Sequence, residues 1–154
     1  MEKDNKKVIK VTGAIIQNEN KFLICRRGPK EKAAGLWEFP GGKLEQYETL
    51  EACIQRELRE ELEVDAVVGN LFDHYIYETS EIVYDLYFFK ILKFKGAIKL
   101  TVHDKLKWVE LKDFSLYNFL PGDVPLIRKL KKNKQLSSQI NWICLSNCFK
   151  IFLG

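Results

Sequence analysis

At 154 residues the chain suits a single domain with a core of ordinary size. Hydrophobic residues make up 46% and charged residues 30%, which makes a soluble globular fold the default. The net charge of +4 fits attraction of a small anion and does not demand a nucleic-acid polymer as partner.

Met1 to Lys7 is polar and lacks the apolar run of a signal peptide, and no stretch is long enough to span a bilayer. Cys25 and Cys53 sit in apolar segments and read as reduced core residues. Cys144 and Cys148 lack the His partners of a zinc site. With no disulfide framework evident, the expected compartment is the cytoplasm.

In chain order, Val8 to Gln17 reads as a strand, Asn18-Glu19-Asn20 as a turn, and Lys21 to Arg27 as a second strand, so the two are expected to pair as a hairpin. Leu36 to Phe39 is a short apolar segment stopped by Pro40-Gly41-Gly42. Thr49 to Leu62 is the clearest helix. Thr49 suits the N-cap, and Leu50, Ile54, Leu58 and Leu62 make an apolar stripe. Ala66 to Tyr77 and Ile82 to Phe94 read as two long strands that pair. His103 and Asp104 read as loop residues, and Lys107 to Glu110 as a short strand. Pro121-Gly122-Asp123 opens a second helix over Val124 to Lys132, whose late basic residues suit the helix dipole. The remaining tail, 135–154, turns apolar from Ile140 onward. Packing on the domain, meeting a partner and serving no role stay open for it.

The chemistry concentrates on the first helix. Glu57, Glu60 and Glu61, spaced i, i+3, i+4, share one helical face. Three gathered carboxylates repel unless a cation sits among them, and their hard oxygens suit Mg²⁺ or Mn²⁺. A solvated face with Arg56 and Arg59 as counter-charges is the plainer reading, the Arg56–Glu60 pair being worth about 0.3–0.5 kcal/mol. The preceding segment favours the site: Gly41-Gly42 lets backbone approach a ligand, and Lys43 can reach a phosphate.

From Gly42 to Val64 the chain resembles the Nudix box. Gly42, Glu48, Arg56-Glu57-Leu58, Glu60-Glu61 and Val64 fall on its fixed positions. One position departs: Glu63 stands where the family has Gly, at the end of the helix. A left-handed Glu there costs roughly 1–2 kcal/mol unless the helix ends differently. Leu36-Trp37-Glu38-Phe39-Pro40-Gly41-Gly42-Lys43 and Leu120-Pro121-Gly122-Asp123-Val124-Pro125 resemble the MutT-type enzymes and related CTP pyrophosphohydrolases. The resemblance runs from about Val8 to Lys132.

The resemblance implies an α+β Nudix fold, an α/β/α sandwich with a mixed sheet between helices, over residues 1–134. It implies a Mg²⁺-dependent (or Mn²⁺-dependent) hydrolase that splits a nucleoside triphosphate into monophosphate and pyrophosphate, cleaning the nucleotide pool of 8-oxo-dGTP or a similar species. A (d)CTP or modified-pyrimidine pyrophosphatase is the close alternative, and a non-catalytic nucleotide-binding regulator the distant one. Metal falls to Gly42, through its carbonyl, and to Glu57, Glu60 and Glu61. Glu57 or Glu60 orients or deprotonates the water, Arg56 steers the glutamates, and Glu48 supports the site. Arg27, Phe39, Lys43 and Asp123 match substrate-binding positions, although a surface charge, a core ring and a helix cap are ordinary roles for Arg27, Phe39 and Asp123. Ionised, Asp123 only accepts hydrogen bonds, which suits the two adjacent donors of guanine; cytosine would need it protonated. Several relatives carry a Glu six residues before the tryptophan that matches Trp108. Here that position is Val102, which puts an extra ligand or base from that segment in doubt. A monomer or homodimer, with neither nucleic acid nor membrane as partner, is expected.

Overall fold

Val, Ile and aromatic residues favour the pleated, half-buried surface of a sheet, and they concentrate in the segments that become strands. The computed structural model, which describes residues 6–134, arranges these strands in two sheets. In the first, β1 (Lys7–Ile15) lies between a short strand Gly41–Lys43 and a long one, Ile82–Lys95, with Asp65–Glu78 outermost. In the second, Lys21–Arg27 is flanked by Gln17–Asn18, Trp37–Glu38 and His103–Glu110, all antiparallel. Numbered in chain order, the remaining strands are β2 (Gln17–Asn18), β3 (Lys21–Arg27), β4 (Trp37–Glu38), β5 (Gly41–Lys43), β6 (Asp65–Glu78), β7 (Ile82–Lys95) and β8 (His103–Glu110). β1 runs parallel to β7 and antiparallel to β5, so the first sheet is mixed, as expected.

The strand period of two sends alternate residues to opposite faces. Ala14, Ile16, Leu23, Cys25, Phe89 and Ile91 pack on helix α1 (Leu50–Leu62) through Ile54, Leu58 and Leu62. Their neighbours Ile15, Phe22, Ile24, Leu86 and Phe88 pack on the other side, against Leu126, Ile127 and Leu130 of helix α2 (124–134). The outcome is helix, strands, helix: the three-layer sandwich. Ile54, Leu58 and Leu62 are all fully buried, each contributing roughly 1.5–3 kcal/mol, which anchors α1 to the sheets.

Thr49 caps α1, its hydroxyl accepting the Ala52 N–H at 3.1 Å. At the other end Glu63 adopts φ 56°, and its N–H donates to the Arg59 and Leu58 carbonyls. The helix therefore closes as a left-handed turn without the glycine that would do so freely. Cys25 and Cys53 are buried free thiols. Among the described residues no helix is long and apolar enough to cross a membrane. The tail 135–154, with Cys144 and Cys148, lies outside the described residues.

Two sequence expectations need correction. Val8–Gln17 is not one arm of a hairpin, because the chain changes sheet at Ile16. Only Gln17–Asn18 pairs with β3, around Glu19-Asn20. Apolar residues on both sides of that crossing hid it, since both faces are buried there. His103 and Asp104 are not loop residues either; they begin β8. His103 lies opposite Arg27 and Lys105 opposite Arg26, with Asp104 the extra residue of a bulge. The bulge turns Asp104 to Arg26, whose Nε donates to Oδ1 at 2.8 Å.

Candidate active site

Gly42 is the middle residue of β5, just after the turn from β4, and meets α1 where Glu57 projects. A Cβ at this position would meet the Glu57 carboxylate, so any larger residue would push that side chain out of its place. The neighbouring Gly41 N–H donates to Glu61 Oε2 at 3.1 Å. Thus one tight turn touches two of the three glutamates that the i, i+3, i+4 spacing put on one face.

Arg56 gathers the other partners. Its Nε and Nη2 donate to the two oxygens of Glu48 at 2.8 and 3.1 Å, and Nη2 also reaches the Lys43 carbonyl at 3.0 Å. Nη1 donates to Glu57 at 2.9 Å and to Glu60 at 3.1 Å. This cation pulls the Glu48 pKa down to about 2. Glu57 is raised instead, because burial outweighs the help from Arg56. Glu61 is pushed up to about 9 by burial and by the charges of Glu38 and Glu57. It makes no ion pair among the described residues.

Among the described residues no three His, Cys, Asp or Glu side chains converge as ligands of one ion. Glu60 is turned outward, its side chain 60% exposed, and shares Arg56 with Glu57. The donor set nevertheless fits a hard divalent cation. Glu57 and Glu61 are carboxylates held above their ordinary range by burial and by neighbouring carboxylates, and a dication relieves both costs.

A cavity of about 420 Å³ opens beside this cluster. Its lining includes Gly42 and Lys43, Leu120 to Asp123, and Arg27, Lys32, Tyr77 and Tyr84. All four residues matched to substrate positions, Arg27, Phe39, Lys43 and Asp123, therefore face one space. The Phe39 ring also belongs to the core, stacked on Phe119 at 6.1 Å. Asp123 is buried, and its Oδ2 accepts the Phe39 N–H at 3.0 Å. That bond occupies the side chain that could have capped the helix, and the turn before α2 has no side-chain cap. Burial pushes the Asp123 pKa up to about 8, against the opposing effect of the Phe39 N–H.

Three residues of this region carry no sequence signal of their own. Glu38 lines the cavity and accepts from Arg27 Nη1 at 2.9 and 3.1 Å. His103 Nε2 meets the same carboxylate at 2.9 Å. The Tyr75 hydroxyl donates to the Gly122 carbonyl at 2.6 Å and accepts the Leu126 N–H, pinning the turn that presents Asp123. Each partner lies far along the chain, so no local spacing marks it.

The NUDIX domain family model matches residues 7–130. The chain is 36% identical over 121 residues to a CTP pyrophosphohydrolase of Escherichia coli (strain K12), covering 79% of this chain and 90% of that one. It is 32% identical over 127 residues to an 8-oxo-dGTP diphosphatase of the same organism, covering 82% and 98%. Among solved structures, the solution structure of the Escherichia coli ORF135 protein matches with a TM-score of 0.75 at 33% identity, covering 84% of this chain and 92% of that one. The MutT protein from Methanosarcina mazei Go1 matches with a TM-score of 0.75 at 27% identity, covering 84% and 97%. With the family model spanning most of the chain and the turn–helix geometry in place around Gly42 and Glu57, this chain belongs to the Nudix hydrolase family.

Proposed function

We propose that the protein is a MutT-type nucleoside triphosphate pyrophosphohydrolase that releases nucleoside monophosphate and pyrophosphate, with Mg²⁺ as its resident cation. One observation carries the reading. A single cavity is lined both by Gly41 to Lys43, whose backbone touches Glu57 and Glu61, and by a buried Asp123, with Arg27 and Lys32 also on its wall. A nucleotide laid in it would place its base at Asp123 and its phosphates at the glutamates. Pool cleaning, with 8-oxo-dGTP as the leading substrate, is the role we assign.

Glu57, Glu60, Glu61 and the Gly42 carbonyl are the groups that would hold the cation. Bound there, it supplies neutralising charge for the phosphates and acidifies water. Arg56 aims Glu57 and Glu60 through its Nη1, and Glu48 fixes Arg56 from behind. Glu57, its pKa raised by burial, is the stronger of the two candidates to accept the proton of the attacking water. The water oxygen bonds to the β-phosphorus, and the bond to the oxygen shared with the α-phosphate breaks.

The raised pKa of Asp123 favours a second reading for the base. Protonated, this side chain offers a donor as well as an acceptor, which matches the ring nitrogen and amino group of cytosine. Ionised, it matches the paired donors of guanine. The test is pyrophosphate release with Mg²⁺ from 8-oxo-dGTP, dGTP, CTP and 5-methyl-dCTP, beside Glu57→Gln and Glu60→Gln. Release that falls by at least about 100-fold in the Glu57 variant supports the enzyme reading. The preference for cytosine over guanine substrates is expected to fall as pH rises through about 8. No release from any nucleotide by folded protein would sink the reading in favour of a nucleotide-binding regulator.

A further inference from the structure

We propose that His103 is a positioning residue for nucleotide binding: it holds Glu38 against Arg27, and through Glu38 sets the guanidinium on the cavity wall. This rests on the cavity being a nucleotide site.

Three adjacent strands build the arrangement. In the β3–β8 ladder Arg27 lies opposite His103, and in the β3–β4 ladder Cys25 lies opposite Glu38. All three side chains meet on the α1 side of the sheet. The His103 side chain is only 2% exposed and that of Glu38 12%. Glu38 Oε1 receives both His103 Nε2, at 2.9 Å, and Arg27 Nη1, at 3.1 Å, while Oε2 receives Nη1 at 2.9 Å. Arg27 is steadied further by the Lys32 carbonyl on Nε, at 2.5 Å, and by Glu31 on Nη2. Glu38 is therefore the inner anchor of a guanidinium otherwise held only by surface groups.

An ionised carboxylate can only accept, so Nε2 carries the hydrogen. The other ring nitrogen, Nδ1, has no partner among the described residues. Leaving a buried ring nitrogen unpaired is unfavourable. A leucine of similar size would avoid that, but would leave Glu38 without its second donor. The one hydrogen bond of the His103 side chain among the described residues is thus the one that fixes Glu38. Val102 is exposed, while the next residue, His103, points inward to Glu38.

The experiment compares His103→Leu, His103→Gln, Glu38→Gln and the His103→Leu/Glu38→Gln double variant in the full chain, by steady-state kinetics on the best nucleotide and by thermal melting. A role exerted through Arg27 on binding is expected to raise KM about tenfold in His103→Leu and leave kcat within about twofold. Gln places an amide N–H near the position of Nε2, so His103→Gln is expected to restore most of the lost affinity. In the Glu38→Gln background, His103→Leu is expected to add nothing to KM, since the bond it removes acts only through Glu38. If His103→Leu does not fold, the Gln variants and the ring ¹⁵N signals of the wild type decide. The expected tautomer is protonated on Nε2, and the opposite tautomer overturns the proposal. A fall in kcat with KM unchanged, or a His103→Gln variant that melts normally yet binds as poorly as His103→Leu, also overturns it. A wild type that neither hydrolyses nor binds any nucleotide fails earlier, at the reading of the cavity, and takes the proposal with it.

Discussion

Arg56 bonds Glu48, Glu57 and Glu60 at once, so its removal strands several carboxylates together. Arg56→Ala is expected to destabilise the metal-free protein by about 1–3 kcal/mol, because charge-assisted bonds are lost while partial exposure limits the cost. It should also lower kcat by at least about tenfold, as Glu57 and Glu60 lose their common aim. Urea melts with and without Mg²⁺ check the first part and initial rates the second; an unchanged kcat would remove Arg56 from the site. At this scale the sequence was legible where chemistry follows helical spacing. Glu57, Glu60 and Glu61 could be placed on one face, and Arg56 within reach of Glu60, before any coordinates. Glu38, His103 and Tyr75 could not. Glu38 and His103 are 65 positions apart, and Tyr75 and Gly122 are 47 apart, so their meeting depends on strand order alone.

Helix α1 shows both what local sequence specifies and what it leaves unpaid. Its start was readable from Thr49 and its buried stripe from the four-residue repeat, because capping and amphipathicity act within a few residues. Its end carries strain: Glu63 holds φ 56°, a conformation natural to the glycine that the Nudix box has there. Glu63→Gly is expected to stabilise the protein by up to about 1 kcal/mol, the relief of the left-handed strain offset by the entropy of glycine and a lost surface pair with Lys99. That corresponds to a rise in Tm of about 2–4 °C by calorimetry. A fall in Tm would show that Lys99 matters more than the backbone. β8 was only half legible, since its lysines face solvent at a sheet edge and its bulge at Asp104 breaks the alternation. The crossing at Ile16 was illegible for the opposite reason: buried on both faces, it looks like one continuous strand.

Across the whole molecule, opposing carboxylates set the response to pH. Glu48 lies below its unfolded value, so its contribution is present above about pH 4.5 and is lost as pH falls toward 2. Glu61 and Asp123 lie above theirs, toward about 9 and 8. Their contributions are full below their unfolded values and drain away as pH rises through those limits. Without a divalent cation the urea midpoint is expected to fall between pH 6 and 9. Mg²⁺ should flatten that fall by favouring the ionised glutamates, with EDTA restoring it. A midpoint that rises over this range would mean that the buried carboxylates do not govern stability. The three-layer arrangement itself came from the family resemblance. Alternating apolar residues require two buried faces, but they do not say which strands are neighbours.

The parallel pairing of β1 with β7 has a kinetic consequence. Residues in register there, such as Lys7 and Ile82, are separated by about 75 positions, and closing so long a loop is a slow and entropically unfavourable event. Val11 to Gly13 and, on β7, Tyr84, Leu86 and Phe88, which line the cavity from the two strands of that seam, come together only when it zips. A partly folded chain can own helix α1 and its glutamates yet possess no place for a nucleotide. Occupancy of the cavity would therefore report the closing of this seam, and a newly made chain would stay catalytically silent until its first strand had found its partner.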